Sequence, residues 1–223
     1  ALVSLCLLPL PAIASEIPPC GFVPPFSESP MRATRDRPPS DGQLDSLVYP
    51  IRVHFLEGDQ DLAPLLLEAA EISWEQQVVD WGWDAPGSDE GLGGDDSLDF
   101  YLYDTEFGGY ASPDDWFNTA THVRCYGHIV INRLMDPDGI RMTTPHEFNH
   151  VLQMWTDCLE DGQLFEASAV YAEDWPFPEL DYAWSFASAF QGGYYRSLDF
   201  YDYAEPPQYG SFIFLQFLAE RFG

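Results

Sequence analysis

Residues 136–173 read DPDGIRMTTPHEFNHVLQMWTDCLEDGQLFEASAVYAE, and His146-Glu147-Phe148-Asn149-His150 within them decides the rest. Side chains four apart share one face of a helix, so His146 and His150 can reach one metal ion. Glu147 is rotated by about 100° and projects beside that ion, where it can take a proton from a bound water. Phe148, Val151, Leu152 and Trp155 fall at core spacing on the opposite face. One helix thus anchors itself by one face and offers nitrogen donors from the other. Catalytic zinc sites take three protein ligands and leave a position for water. The metzincin pattern, with a third histidine six residues after His150, is excluded because Thr156 stands there. Glu166 follows on a second helix, after a turn over residues 156–162, and two antiparallel helices joined that way bring it to the metal.

Two starts are open to the histidine helix. If it begins at Thr144, Pro145 takes the favoured first position and Thr144 with Glu147 forms a capping box. If it begins near Asp138, Pro145 lies inside it and kinks it. Asp136-Pro137-Asp138-Gly139 reads as a turn before it.

Working outward, residues 48–56 read as a strand and 61–81 as an amphipathic helix with Leu62, Leu65, Leu66, Ala69, Ile72 and Val79 at helical spacing. The glycine- and acid-rich stretch 84–96 is a loop, either solvated or able to hold calcium through oxygen ligands. Residues 97–104 and 123–131 read as strands. Gly109 to Ser112, ended by Pro113, reads either as an edge strand to which an extended peptide could add or as an ordinary β-turn, which the paired glycines suit equally. The order of elements predicts an α+β domain: a short twisted mixed sheet with helices on one side. His54, His122 and His128 are expected as packed or surface histidines. Tyr209, with Tyr194 and Tyr195 behind it, is the candidate donor to a developing oxyanion.

The whole chain of 223 residues carries 37 acidic against nine basic side chains, a formal net charge of −28. Such a surface repels phosphate backbones and anionic membranes, which argues against nucleic acid as a partner. Hydrophobic residues at 46 % supply a core and exclude disorder over most of the length. Residues 1–14 read as the remnant of a signal peptide closing on Ala12-Ile13-Ala14, so a secreted or extracytoplasmic location is expected. Residues 15–45, rich in proline and charge, read as an extended lead-in, and 46–223 as the catalytic domain. A helix opens near Ser211 and stops at Gly223, so further domain sequence is expected after it. Cys6 leaves with the signal peptide. Of Cys20, Cys125 and Cys158, the last two flank the histidine helix and are the natural disulfide pair.

HEFNH followed by FEASAVYAE resembles the gluzincins, the clan of zinc peptidases typified by thermolysin and aminopeptidase N. Closer still is the similarity to secreted bacterial metallopeptidases of that clan, which share the lead-in Ile140-Arg141-Met142-Thr143 and the later Tyr209-Gly210-Ser211-Phe212. The likeness runs from about Tyr49 to Gly223. It implies a zincin-like catalytic domain, Zn2+ held by His146, His150 and Glu166, Glu147 as general base, and a peptide or protein substrate. Where thermolysin has an aspartate bonding a zinc-bound histidine, this chain has Val170; Glu173, on the same helix face, either replaces it or is solvated. The rival expectation is a catalytically inactive zincin-like binding or adhesion module, which would have no need to keep Glu147.

Overall fold

The computed structural model describes residues 36–193, 195–201 and 207–222, so the leader, Cys6, Cys20 and Tyr194 lie outside the described residues. Strands β1 (Gly42–Asp45), β2 (Ile51–Phe55), β3 (Leu98–Tyr103), β4 (Gly109–Asn118) and β5 (Val123–Asn132) form one open mixed sheet in the order β1-β2-β3-β5-β4. The central β2, β3 and β5 run parallel, and β1 and β4 close the two edges antiparallel. Helix α1 (Ala63–Trp74), prolonged by a π-helical turn over Glu75–Asp80, crosses from β2 to β3. After the sheet come α2 (Pro137–Asp157), α3 (Gly162–Glu173), α4 (Ala187–Gly192), α5 (Pro207–Gly210) and α6 (Phe212–Phe222). The architecture is α+β, as the pattern of elements predicts.

Two boundaries differ from the expectation. The lead-in ends as structure, because Gly42–Asp45 pairs with β2. The edge strand β4 runs on to Asn118 through a bulge between Pro113 and Asp115. Pro113 has no N–H for the ladder, and the bulge absorbs the missing rung. Gly127 lies opposite; a Cβ there would stand 2.1 Å from the Ser112 carbonyl oxygen, so a side chain would force the strands apart.

The period of two along the strands gives the sheet two different faces. Ile51, Val53, Phe100, Leu102, Ile129 and Ile131 point to the helices and pack with Leu66, Trp74, Phe148 and Leu152 in one core. Each such side chain stabilises the fold by about 1.5–3 kcal/mol. The alternate residues Arg52, His54, Asp99, Tyr101 and His128 are equally buried on the other face. That face is closed by the segment before β1 and by the acidic loop. Arg37 reaches in, donating to Asp99, to Asp89 at 2.7 Å and to Asp114 at 2.6 Å. His54 Nε2 lies 2.7 Å from Asp99, and His128 Nδ1 lies 2.9 Å from Asp114. Burial disfavours the Arg37 charge, but the surrounding acids outweigh it and raise its pKa further. Burial, with Asp99 nearby, pushes Asp89 up to about 6 against the pull of Arg37. His54 and His128 are therefore packed histidines, each with a carboxylate, whereas His122 pairs with Asp157 near the surface. The loop acids are also committed: Asp95 to Arg52 at 2.6 Å and Asp96 to Ser88 at 2.7 Å. Among the described residues no metal-binding group falls in that loop.

Arg37→Met leaves Asp89, Asp99 and Asp114 facing one another, and should cost about 3–5 kcal/mol in urea unfolding at pH 8. The deficit should shrink at pH 5. There protonation of Asp89, whose folded-state pKa lies near 6, relieves the repulsion that Arg37 had screened. An equal loss at both pH values would refute the charge argument.

Candidate metal centre

Helix α2 begins early. The Asp136 side chain accepts from the Gly139 N–H at 2.8 Å as N-cap, and Pro137 occupies the first turn. The residues expected as a free-standing turn are thus the helix cap, and Pro145 is internal. No capping box forms at Thr144, whose hydroxyl donates instead to the Ile140 carbonyl at 2.6 Å. The far end is fixed by the Cys125–Cys158 disulfide, with Cα atoms 5.6 Å apart, and by the Cys158 N–H donating to Val123 O at 2.7 Å. Phe148, Val151 and Leu152 are buried as expected. Trp155 is half-buried, with the Arg124 guanidinium 5.1 Å from its ring.

Helix α3, capped by Asp161 on the Gln163 N–H, returns Glu166 to the α2 histidines. His146 Nε2 lies 3.1 Å from His150 Nε2 and 3.2 Å from Glu166 Oε2, and His150 Nε2 lies 3.7 Å from the same oxygen. Donors about 2.0–2.1 Å from one tetrahedral ion stand ~3.3 Å apart. The three measured separations bracket that value. His146, His150 and Glu166 thus form a buried group able to hold a metal ion, the ligand set expected from the sequence.

The outer nitrogens explain why Nε2 faces inward on both rings. His146 Nδ1 donates to Glu173 Oε1 at 2.5 Å, so Glu173 is the carboxylate partner of this histidine and is not solvated. His150 Nδ1 donates to Gln153 Oε1 at 2.8 Å, and Gln153 Nε2 donates onward to Phe165 O and Ser168 Oγ. Each bond holds a proton on Nδ1 and turns Nε2 toward the shared centre, where the neutral ring offers a lone pair. Burial opposes the His146 charge, but hydrogen bonds to Glu166 and Glu173 raise its pKa well above the usual value. Burial and the nearby His146 lower that of His150. Burial raises Glu173, although His146 pulls the other way.

Glu147 is fully buried beside this group. The edge strand β4 passes over it: a Cβ at Gly109 would meet Thr143 Cγ2 at 2.8 Å and Glu147 Cγ at 2.9 Å. Gly109 is what lets the sheet edge approach the helix so closely. Tyr209, on α5, comes to the site as well, its ring centroid 6.2 Å from that of His146 and 5.1 Å from that of Phe186. Tyr195 is exposed, and His54, His122 and His128 are not brought to the centre. Gln153 was legible only as a residue type; its spacing of three from His150 is the signal that it could reach Nδ1. Comparison of the chain with family models, with curated proteins and with solved structures finds no match.

One divalent ion per chain is expected by elemental analysis after dialysis. An ion at about 100 times its Kd should stabilise the fold by about 2.7 kcal/mol. His150→Ala should abolish that metal-dependent rise in melting temperature. A full rise in the variant would place the ion elsewhere.

Proposed function

We propose that the chain is a zinc-dependent peptidase with a gluzincin-like catalytic domain, hydrolysing peptide bonds outside the cytoplasm. The observation that carries this reading is Glu147 beside three converging donors of the kind catalytic zinc takes, two imidazoles and one carboxylate. The Cys125–Cys158 disulfide supports export, and among the described residues no helix is long and apolar enough to cross a membrane.

Zinc bound by His146, His150 and Glu166 supplies Lewis acidity that activates water and polarises a carbonyl. The chain's own groups do the rest. Glu147 accepts the proton of the attacking water and delivers it to the leaving amine nitrogen. Glu173 and Gln153 hold the two imidazoles in the tautomer that ligates. Tyr209 would donate to the oxyanion. The β4 edge, drawn close at Gly109, is where an extended peptide adds as a strand and lays its carbonyl beside Glu147.

Casein hydrolysis should be abolished by a chelator and restored by Zn2+. Glu147→Gln should retain metal and fold yet lose all but a few per cent of turnover, because an amide cannot accept the water's proton. Chelator-insensitive cleavage, or an active Glu147→Gln variant, would overturn the mechanism; bound zinc without cleavage in the wild type would favour a binding module.

Gly109→Val should lower kcat/KM by at least tenfold with the ion still bound, since its side chain collides with the stem of Glu147. Unchanged kinetics would refute either the close approach of β4 to Glu147 or the part that Glu147 plays in turnover.

A further inference from the structure

Proline 145 interrupts α2 one residue before the first histidine. Having no N–H, it cannot make the helix bond to the carbonyl four residues back, so a rung is missing in the turn that leads into the ligands. The spacing of His146 and His150 depends on the next turn, from Pro145 to Asn149, staying regular. A side chain from another element spans that turn. Gln77, in the π-helical continuation of α1, is fully buried. Its Nε2 donates to the Pro145 carbonyl at 2.9 Å, and its Oε1 accepts from Asn149 Nδ2 at 2.9 Å. One amide therefore grips two residues four apart, each the immediate predecessor of a metal-binding histidine. Asn149 is kept buried for this bond although its own Oδ1 makes no hydrogen bond among the described residues. π-helical turns concentrate at functional positions, and this one carries the gripping residue.

We propose that Gln77 is a positioning residue for the metal centre: by tying Pro145 to Asn149 it sets the rise of the turn that separates His146 from His150. The proposal rests on the metal reading of the His146, His150 and Glu166 group and not on any particular substrate. Gln77 touches neither the donors nor a reacting atom, and acts through the helix backbone.

The test compares Zn2+ affinity with folding stability in the full chain. Gln77→Leu should raise the Kd for Zn2+, measured by competition with a chromophoric chelator, by about 10–100-fold, as loss of an outer-layer partner does. It also orphans the Asn149 amide and should lower the urea midpoint of the metal-free chain. The double variant Gln77→Leu/Asn149→Leu removes both polar groups together, so its stability should recover towards the wild type. Its Kd should stay as weak as that of the single variant, because nothing ties the turn. A Kd within twofold of the wild type in Gln77→Leu, or recovery of both affinity and stability in the double variant, would overturn the positioning role. Should the single variant not fold, the double variant's Kd alone decides between these outcomes. A wild-type chain that binds no Zn2+ would remove the metal reading and this proposal together. A chain that binds Zn2+ but does not cleave casein would overturn the peptidase reading alone.

Discussion

Five ionisable side chains, His146, Glu147, His150, Glu166 and Glu173, lie in the interior at 5 % exposure or less. Burying a charge costs several kcal/mol unless an opposite charge or a hydrogen-bond donor meets it. With both imidazoles neutral, the three carboxylates leave a formal surplus of −3. One proton on His146 reduces it to −2; a divalent ion in place of that proton, on the inward-facing donors, reduces it to −1. The Nδ1 bonds to Glu173 and Gln153 also turn both Nε2 lone pairs and the Glu166 oxygen toward one another. Three electron-rich atoms held 3.1–3.7 Å apart repel unless a proton on His146 Nε2 or a metal ion lies between them. The same bonds that orient the ligands thus make the centre demand positive charge.

The far face of the sheet solves the same problem differently. There Asp89, Asp99 and Asp114 surround a guanidinium delivered by the chain itself, with His54 and His128 as further partners. Arginine suits this place because its planar fork donates in several directions at once and stays charged when buried. The two clusters lie on opposite sides of one sheet because strand side chains alternate. Residues such as Phe100 and Ile129 build the apolar core on which α2 rests, while Asp99 and His128 beside them face the arm.

The ligand set was legible because it is local. His146, Glu147 and His150 lie on one helix, and the 16 residues to Glu166 leave room for a single reversal. The edge position of β4 was legible from its glycines and Pro113, and the disulfide from two cysteines flanking one helix. The helix start was not, since Asp136-Pro137 is as good a turn as it is a cap, and only packing against β5 and α1 decides. Glu173 was an open choice because seven residues along a helix fix its face but not its partner. The arm was misread at Gly42–Asp45 because β1 has a half-exposed pattern and depends on pairing with β2. Arg37 was invisible for a stronger reason: its acids lie 52 to 77 residues away, and no local spacing joins them.

Long-range ties also decide what in the molecule can yield. Helix α2 is held at its start by the Asp136 cap, at its end by the disulfide and along its length by Gln77, Gln153 and the β4 backbone. A shift along α2 would strain several of these at once. On the other side of the centre Gln208, Tyr209 and Gly210 of α5 are buried, and the Tyr209 ring lies against those of His146 and Phe186. Under the peptidase reading the catalytic side chains, all buried, have to be uncovered before a peptide reaches them. That reading requires rigid donors, since the distances among His146, His150 and Glu166 must survive each entry of substrate.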